Sequence, residues 1–364
     1  MKGVSCVVAL LCASSASAYA QSSVTLYGIV DEGITYTSNQ KGHSNWQLQS
    51  GGASVSRWGL RGVEDLGGGL QTIFVLENGF DPSTGNIGNN GALFGRSAYV
   101  GIASQYGTVT LGRQYDEMAN LLSKVGAGLN WSVYLAHLND VDNTSGVNRI
   151  NNAVRYASPT FAGFALEGLY SFGGVAGQFS SNSVKSFGLS YTGGPLYAAA
   201  AYTDIKNPYT AVFGSVVPNA IAFSAYVPKA ENQKIWGAGA RYNFGTATLG
   251  LMYTSTRFGN AFGGADVRFD NYEANLGYQF RPDVLVGVAF IYTHGKLDAT
   301  DQSPIYRALG LFSDYILSKR TDIYAVAEVQ KAGGSATQVQ ITNISAPSSG
   351  KTQAIVHIGL RHKF

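Results

Sequence analysis

Five arginines occupy positions where a strict apolar–polar alternation would turn them away from their apolar neighbours. Arg57 and Arg61 oppose Trp58 and Leu60, Arg96 opposes Tyr99, and Arg149 and Arg155 oppose Ile150, Val154 and Tyr156. Arginine keeps its charge at any physiological pH and carries five donors. Arginines gathered on one polar face therefore make a permanent positive field. The opposite sign collects in the stretch from Tyr115 to Asn148, with Asp116 and Glu117 at its start and Asp140 and Asp142 near its end, and Glu77 stands apart from it. Fixed charges of this kind select ions rather than make or break bonds.

Reactive or ligand-holding chemistry finds little support. Asp140-x-Asp142-x-Thr144 resembles the opening of a calcium loop, but Ser145 and Asn151 stand where glycine and the closing acid belong. Gly237-Ala238-Gly239 lacks the rest of a dinucleotide fingerprint and reads as strand. No Gly-x-Ser-x-Gly elbow is present. The five histidines, His43, His137, His294, His357 and His362, have no metal-ligand spacing. Neither a catalytic residue, nor a metal, nor a cofactor is expected.

Those charged positions need elements to hold them, and the elements read as strands. In the last segment Val356, Ile358 and Leu360 fall on one face and His357, Gly359 and Arg361 on the other. Tyr272, Ala274, Leu276, Tyr278 and Phe280 oppose Asn271, Glu273, Asn275 and Gln279 in the same way, and Trp236, Ala238, Ala240, Tyr242 and Phe244 oppose Arg241 and Asn243. A helix would scramble these faces. The spacing predicts sixteen strands, beginning near Val24, Ser54, Leu70, Leu93, Gly107, Arg149, Gly163, Val184, Leu196, Gln233, Ala247, Val267, Val284, Ile305, Ile323 and Thr352. Ile305 to Ser318 alternates poorly, with Asp314 awkward on either face. Short turns such as Asp65–Gly68, Gly193-Gly194-Pro195 and Arg281-Pro282-Asp283 alternate with eight longer connections. The longest run 115–148, 206–232 and 331–351.

Composition says where such strands live. The 364 residues include 46 glycines, 22 tyrosines, 18 phenylalanines and 9 prolines, and only 13% are charged, about half the usual share. Lys2, the apolar run Val4–Cys12 and Ala18-Tyr19-Ala20 form a cleavable export leader, so residues 1–20 are expected to be removed and the mature chain to begin at Gln21. Both cysteines, Cys6 and Cys12, go with it, which removes disulfides and thiolate chemistry. Without Lys2, 24 basic side chains stand against 22 acidic ones; this is no nucleic-acid footprint. No apolar stretch approaches the roughly 20 residues of a spanning helix. A chain with one face in lipid must then be a closed barrel, since only closure satisfies every backbone group. A soluble all-β domain would turn lysine, glutamate and threonine outward; here the ends of the outward faces carry tyrosine, phenylalanine and tryptophan. Residues 21–364 read as one transmembrane antiparallel β-barrel, all-β, with short turns on one rim and long loops on the other.

Several segments in order resemble the general porins of Gram-negative bacteria, most closely the beta-proteobacterial type. They are Ser23-Val24-Thr25-Leu26-Tyr27-Gly28; Gly59-Leu60-Arg61-Gly62-Val63-Glu64-Asp65-Leu66-Gly67; Leu111-Gly112-Arg113-Gln114; Leu317-Ser318-Lys319-Arg320-Thr321; and the closing Gly359-Leu360-Arg361-His362-Lys363-Phe364. The resemblance implies an outer-membrane channel for small hydrophilic solutes and ions, a homotrimer in outer-membrane lipid, and a third long loop folded into the barrel. It implies that Arg57, Arg96 and Arg149, with Arg61 as a fourth, form a basic wall at the constriction. Asp116, Glu117, Asp140 and Asp142 on the inner loop, with Glu77, would form the acidic side. Arg113 is implied in a loop or subunit contact, and Phe364 as an assembly signal. The inner loop departs from the family's proline- and glycine-turn pattern, having Leu121, Leu122, Lys124 and Trp131 instead, which leaves open which acid faces the pore. The basic wall predicts anion preference. A substrate-specific channel for an anion or organic acid on the same fold, a surface-binding protein anchored by its barrel, and a barrel enzyme are the competing readings.

Overall fold

The computed structural model describes residues 22–215 and 219–364; the expected leader, 1–20, lies outside them. Seventeen strand segments form one antiparallel sheet closed on itself: β1 Ser23–Gln40, β2 His43–Ser50, β3 Arg57–Gly67, β4 Leu70–Gly79, β5 Ser97–Ser104, β6 Gly107–Gln114, β7 Ile150–Ala157, β8 Phe164–Ser171, β9 Val184–Gly193, β10 Leu196–Lys206, β11 Asn232–Asn243, β12 Ala247–Phe262, β13 Ala265–Arg281, β14 Val284–Leu297, β15 Pro304–Ile316, β16 Thr321–Gly334 and β17 Thr352–Lys363. β1 closes the ring against β17, with Gly33 opposite Gly359.

Seventeen segments fill sixteen positions. One half of β1, Ser23–Ile29, pairs with β3; the other, Glu32–Gln40, pairs with β2. β2 and β3 are thus one barrel position broken at residues 51–56. This corrects the second strand, expected from Ser54, and the first long connection, which is a tight turn at Lys41-Gly42 with φ of +54° and +98°. The signal for β2 is present: Trp46 and Leu48 are exposed outward at every second position and alternate with Asn45, Gln47 and Gln49. The connection between β12 and β13 also shrinks to a turn, at Gly263-Gly264. Asp314 of β15, awkward in the sequence, accepts Arg361 Nη2 of β17 at 3.3 Å inside the barrel.

Alternation sorts the two faces as expected. Outward positions carry exposed Leu26, Ile34, Val100, Leu111, Leu189, Leu251, Leu276, Leu311 and Ile358, whereas the inward Thr35, Ser186, Asn271 and His357 are fully buried. Two aromatic belts bound the apolar band. Trp236, Tyr253, Tyr272 and Tyr292 run side by side toward the loop rim, with ring centroids 5.1, 4.9 and 6.1 Å apart. Tyr242–Phe244 and Phe164–Tyr191 lie toward the turn rim. An outward apolar band between aromatic girdles is what a lipid bilayer requires of a closed sheet.

The wall is uneven. β5 to β8 are eight residues each, and β12 to β16 are 13 to 17. The connection after β6 lies inside the barrel, packed against the inward faces of the taller strands. Residues 207–215, 219–231 and 335–351 fold onto it: Val227 and Phe223 pack with Leu138, and Ile341 packs with Tyr134 and Leu135. The two connections they belong to read as plain external loops in the sequence; their apolar residues instead cover the inner loop.

Candidate functional site

The arginines converge where β3, β5 and β7 begin, at the loop-side ends of the short strands. Arg57 opens β3, Arg96 immediately precedes β5, and Arg149 immediately precedes β7. Arg96 Nε donates to Glu77 Oε1 at 2.7 Å, and Arg57 Nε lies 3.6 Å from Glu77 Oε2. Tyr27 OH donates to the same carboxylate at 3.0 Å, and the Arg61 guanidinium lies 5.5 Å from the Tyr27 ring. Tyr115 ties in the rest. Its hydroxyl accepts Arg96 Nη2 at 3.0 Å and Arg149 Nη2 at 2.6 Å, and the Arg149 guanidinium sits 4.6 Å from its ring.

Two guanidiniums, Arg57 and Arg96, therefore share the Glu77 carboxylate, and Tyr115 and Tyr27 link Arg149 and Arg61 to the same cluster. Arg61 is exposed and the Arg57 side chain is 24% exposed, while Arg96 and Arg149 are sunk beneath them. Glu77 belongs to this basic cluster rather than to an acidic side facing it. The route by which Arg96 joins differs from simple parity. Tyr99 is on the inward face, in one cross-strand row with Arg61, Val75 and Gly112, so strand alternation would send Arg96 outward. The strand starts at Ser97, not Leu93, and the irregular backbone before it lets Arg96 reach in. Ile150 is likewise inward and fully buried, and a positive φ of +51° at Asn152 resets the alternation before Val154, Arg155 and Tyr156.

The inner loop, 115–149, is seated by apolar side chains in a track of glycines. An added Cβ at Gly287 would stand 3.0 Å from the Trp131 ring, and at Gly237 and Gly239 only 3.1 and 3.2 Å from Leu122 and Val125. At Gly188 and Gly310 it would overlap Leu121 and Leu135. Only a residue without a side chain leaves room for these neighbours. Polar ties complete the seat. Ser132 Oγ donates to Gly52 O at 2.6 Å, at the break between β2 and β3. Tyr197 OH donates to Leu121 O at 3.0 Å, and Asn275 Nδ2 to Val125 O at 3.0 Å. The residues that depart from the expected loop pattern, Leu121, Leu122 and Trp131, are the ones that dock.

The loop acids are turned into this seat. Asp116 caps the short helix Glu117–Leu121, accepting Ala119 N, Asn143 Nδ2 and Thr203 Oγ1. Glu117 accepts Arg155 Nε at 3.0 Å, and Arg155 also meets Glu167. Asp140 accepts the backbone amides of Ser145 and Val147 at 2.7 and 2.8 Å. Asp142 accepts Thr254 Oγ1 and pairs with His137 Nδ1 at 2.5 Å, and His137 Nε2 lies 2.9 Å from Glu273 of β13. All four acids are at most 1% exposed. An acidic side made of Asp116, Glu117, Asp140 and Asp142 facing the arginines across open lumen is therefore not what the geometry forms; their hydrogen bonds hold the loop.

Burial sets the protonation of these groups. It pushes Asp116 up to about 6 and Asp140 up to about 7. It also opposes charge on His137, but Asp142 and Glu273 outweigh it and push the imidazole up to about 10. Asp142, against the same burial, is held below its ordinary value by His137.

Arg113 is in neither charge cluster. Its Nε donates to Gly95 O at 2.8 Å and its Nη1 to Asn151 Oδ1 at 2.5 Å, tying the entries of β5 and β7 together. Phe364 exchanges two backbone hydrogen bonds of 3.1 Å with Gly28. Sequence reasoning missed Tyr27, Tyr115 and His137; Tyr115, adjoining Gln114, had a local signal in its position, whereas of the two partners of His137 one, Asp142, is five residues away and the other, Glu273, is 136 residues away.

A family model described as Gram-negative porin matches residues 7–335. An outer membrane porin protein of Bordetella pertussis is 30% identical over 419 aligned residues covering all of both chains. Outer membrane porin protein 32 of Delftia acidovorans is 32% identical and covers 97% of each. Among solved structures, the anion-selective porin from Comamonas acidovorans is similar with a TM-score of 0.77 and 26% identity, over 94% of this chain and 100% of that one. The trimer form of OmpT of Vibrio cholerae, 14% identical with a TM-score of 0.69 over 94% and 99%, shares the fold.

Proposed function

This chain belongs to the Gram-negative porins and forms a water-filled channel through the outer membrane for small hydrophilic solutes, and from that premise we propose that its channel prefers anions, with Arg57, Arg61, Arg96 and Arg149 as the selecting wall. The observation that carries this is the imbalance at the cluster: four arginines with the single carboxylate of Glu77, which pairs with two of them, while the inner-loop acids Asp116, Glu117, Asp140 and Asp142 are buried. Guanidiniums hold their charge at every working pH, and a wall of one sign in a narrow aqueous passage raises the local concentration of the opposite ion. The anion-selective porin from Comamonas acidovorans, similar over its whole length, supports the same direction.

The roles divide by depth. Arg57 and Arg61 meet the solute; Arg96 and Arg149, fixed by Glu77 and Tyr115, supply field from behind. Asp116, Glu117, Asp140 and Asp142 act as loop anchors that keep the passage narrow, a positional role rather than an ion-selecting one. We infer a homotrimer as well, an assembly the Vibrio cholerae OmpT is described in.

Single-channel recording in a potassium chloride gradient tests the assignment. A reversal potential favouring chloride is expected, and the combined Arg57→Gln, Arg96→Gln, Arg149→Gln variant should lose most of that preference. A difference of about 1.4 kcal/mol between the two ions corresponds to a tenfold preference. A wild-type channel that favours potassium would overturn the reading.

A further inference from the structure

The inner loop carries one charge that its seat leaves over. Of residues 115–149 only Lys124, Leu129, Asn130 and Val147 are exposed, and Lys124 alone among them is charged. Inside the barrel an exposed loop residue faces the aqueous passage. Leu121, Leu122 and Trp131 depart from the expected loop pattern and dock; Lys124, the fourth departure, does not. It ends the short helical turn Leu122–Lys124, which is held down on both sides, by Leu122 against Gly237 and by Val125 against Gly239. Its ammonium lies 5.4 Å from the centre of the Tyr197 ring of β10.

A second cation stands beneath it. One inward row crosses the sheet through Thr192 of β9, Tyr197 of β10, Arg241 of β11, Gly250 of β12 and Asn275 of β13. Loop residues 124 and 125 touch this row on both sides of Arg241. Lys124 lies over Tyr197. Val125 O lies over Gly250, where an added Cβ would stand 2.7 Å from it, and accepts Asn275 Nδ2 at 3.0 Å. Neighbouring strands are about 4.8 Å apart, so Tyr197 and Gly250 are separated by roughly 10 Å with Arg241 between them. Lys124 therefore spans the strand that carries Arg241, and ammonium and guanidinium share one small region of lumen.

Neither cation is paired with an acid among the described residues. The inward acids nearby are taken: Glu117 and Glu167 by Arg155, and Glu273 by His137. The Tyr197 hydroxyl is already donated to Leu121 O at 3.0 Å. Two like charges held together by a fixed loop and a fixed strand repel, and an anion between them removes that repulsion. Both groups are donors without an acceptor. The arginine fork matches two oxygens of a carboxylate or a phosphate, which a single-atom halide does not offer.

Height sets the order in which a solute meets them. Arg241 is two residues from Asn243, the turn-side end of β11, and about 7 Å turn-ward of Gly239 in the loop seat. Arg57, Arg96 and Arg149 stand at the opposite, loop-side ends of their strands. We propose that Lys124 and Arg241 form a second anion station, on the turn side of the inner loop, that holds the carboxylate or phosphate group of a permeating solute. The station rests on the anion preference proposed above and adds a step to it: the arginine wall admits negative charge, and the station separates oxyanions from chloride.

The test adds inorganic phosphate or succinate, to each side in turn, to single channels of the full-length protein carrying chloride current. Either should reduce that current in the wild type as its concentration rises. The Lys124→Gln, Arg241→Gln double variant should need about tenfold more of it for the same reduction. A stronger effect of succinate assigns the station to carboxylates and a stronger effect of phosphate assigns it to phosphates; both bear the proposal out. Should the double variant not fold, Lys124→Gln alone, on the exposed surface of the loop, should need about threefold more. The reversal potential in a potassium chloride gradient is read from the same channels and should still favour chloride in the variant, because Arg57, Arg96 and Arg149 are untouched. Chloride-favouring channels that neither anion blocks, or that are blocked equally in wild type and variant, would overturn the station alone. A wild type that favours potassium would overturn the wall and the station with it.

Discussion

The wall from β3 to β7 and the wall from β9 to β15 follow one alternation rule and use their inward positions in opposite ways. On the first, inward space is filled by arginines and tyrosines tied to one another and to Glu77, with Arg61 the exposed member. On the second it is emptied: Gly188, Gly237, Gly239, Gly287 and Gly310 make room for Leu121, Leu122, Val125, Trp131 and Leu135 of the inner loop. A barrel this wide does not fill itself with side chains. Charge gathers on one wall and a bound loop on the other, and on the proposed reading the first chooses the ion while the second sets the width. Strand length follows the same division, 8 to 11 residues where the arginines stand and 13 to 17 along most of the wall the loop leans on.

The sharpest way to break that division is to unclip the loop from the taller wall. His137→Ala leaves Asp142 and Glu273 buried without their cation. Removing one partner of a buried pair costs about 3–5 kcal/mol, so amide exchange in the loop should rise by roughly a hundredfold or more at 1.36 kcal/mol per decade. Chloride preference should persist, because Arg57, Arg96 and Arg149 are held by Glu77 and Tyr115. If ion preference vanished along with loop order, the two walls would not be separable.

A smaller effect is expected from filling the track. Gly310→Leu places a side chain where Leu135 sits, and overpacking costs about 1–3 kcal/mol. Open-channel current noise should increase, with the pairing of β15 to β14 and β16 unchanged by circular dichroism. A silent substitution would mean the glycine track does not seat the loop.

The smallest effect is a drift with pH. Asp116 and Asp140, raised from 3.8 to about 6 and about 7, take up protons on folding, so each weakens the seat as pH climbs through that window. His137, raised from 6.5 to about 10, stabilises fully below 6.5 and loses its contribution as pH rises to 10. Asp142, held below 3.8, opposes them only when pH falls through that range. The loop should be firmest near pH 4 to 5, and the unfolding midpoint should be higher at pH 5 than at pH 9 by about a few degrees. The reverse order would contradict these assignments.

The sequence made the strands legible because alternation and turn residues are local signals. The same signal at Trp46 and Leu48 marks β2, but Lys41-Gly42 is a two-residue turn easily read as part of a longer loop. Arg57 and Arg61 were legible from parity. Arg96 was named for a parity that Tyr99 contradicts, and irregular backbone before Ser97 brought it inward regardless. The loop acids were identified as a group but not in their orientation. Their partners, Arg155, Thr203, Thr254 and Glu273, lie on strands whose nearness to the loop depends on closure of the whole ring, which no local pattern encodes.

That closure sets a timetable. The first strand meets the last, with Gly28 and Phe364 exchanging backbone hydrogen bonds across almost the entire chain. Contacts so distant in sequence form late, and until they form β1 and β17 are two open edges able to pair with any other strand. Ser132 of the inner loop rests on Gly52, beside β1, so the loop's seat is itself incomplete until the ring shuts. A chain that has lost only its last residues would keep nearly every wall strand and still be left sticky and ungated. The two backbone hydrogen bonds between Phe364 and Gly28 stand at the seam where that closure is made.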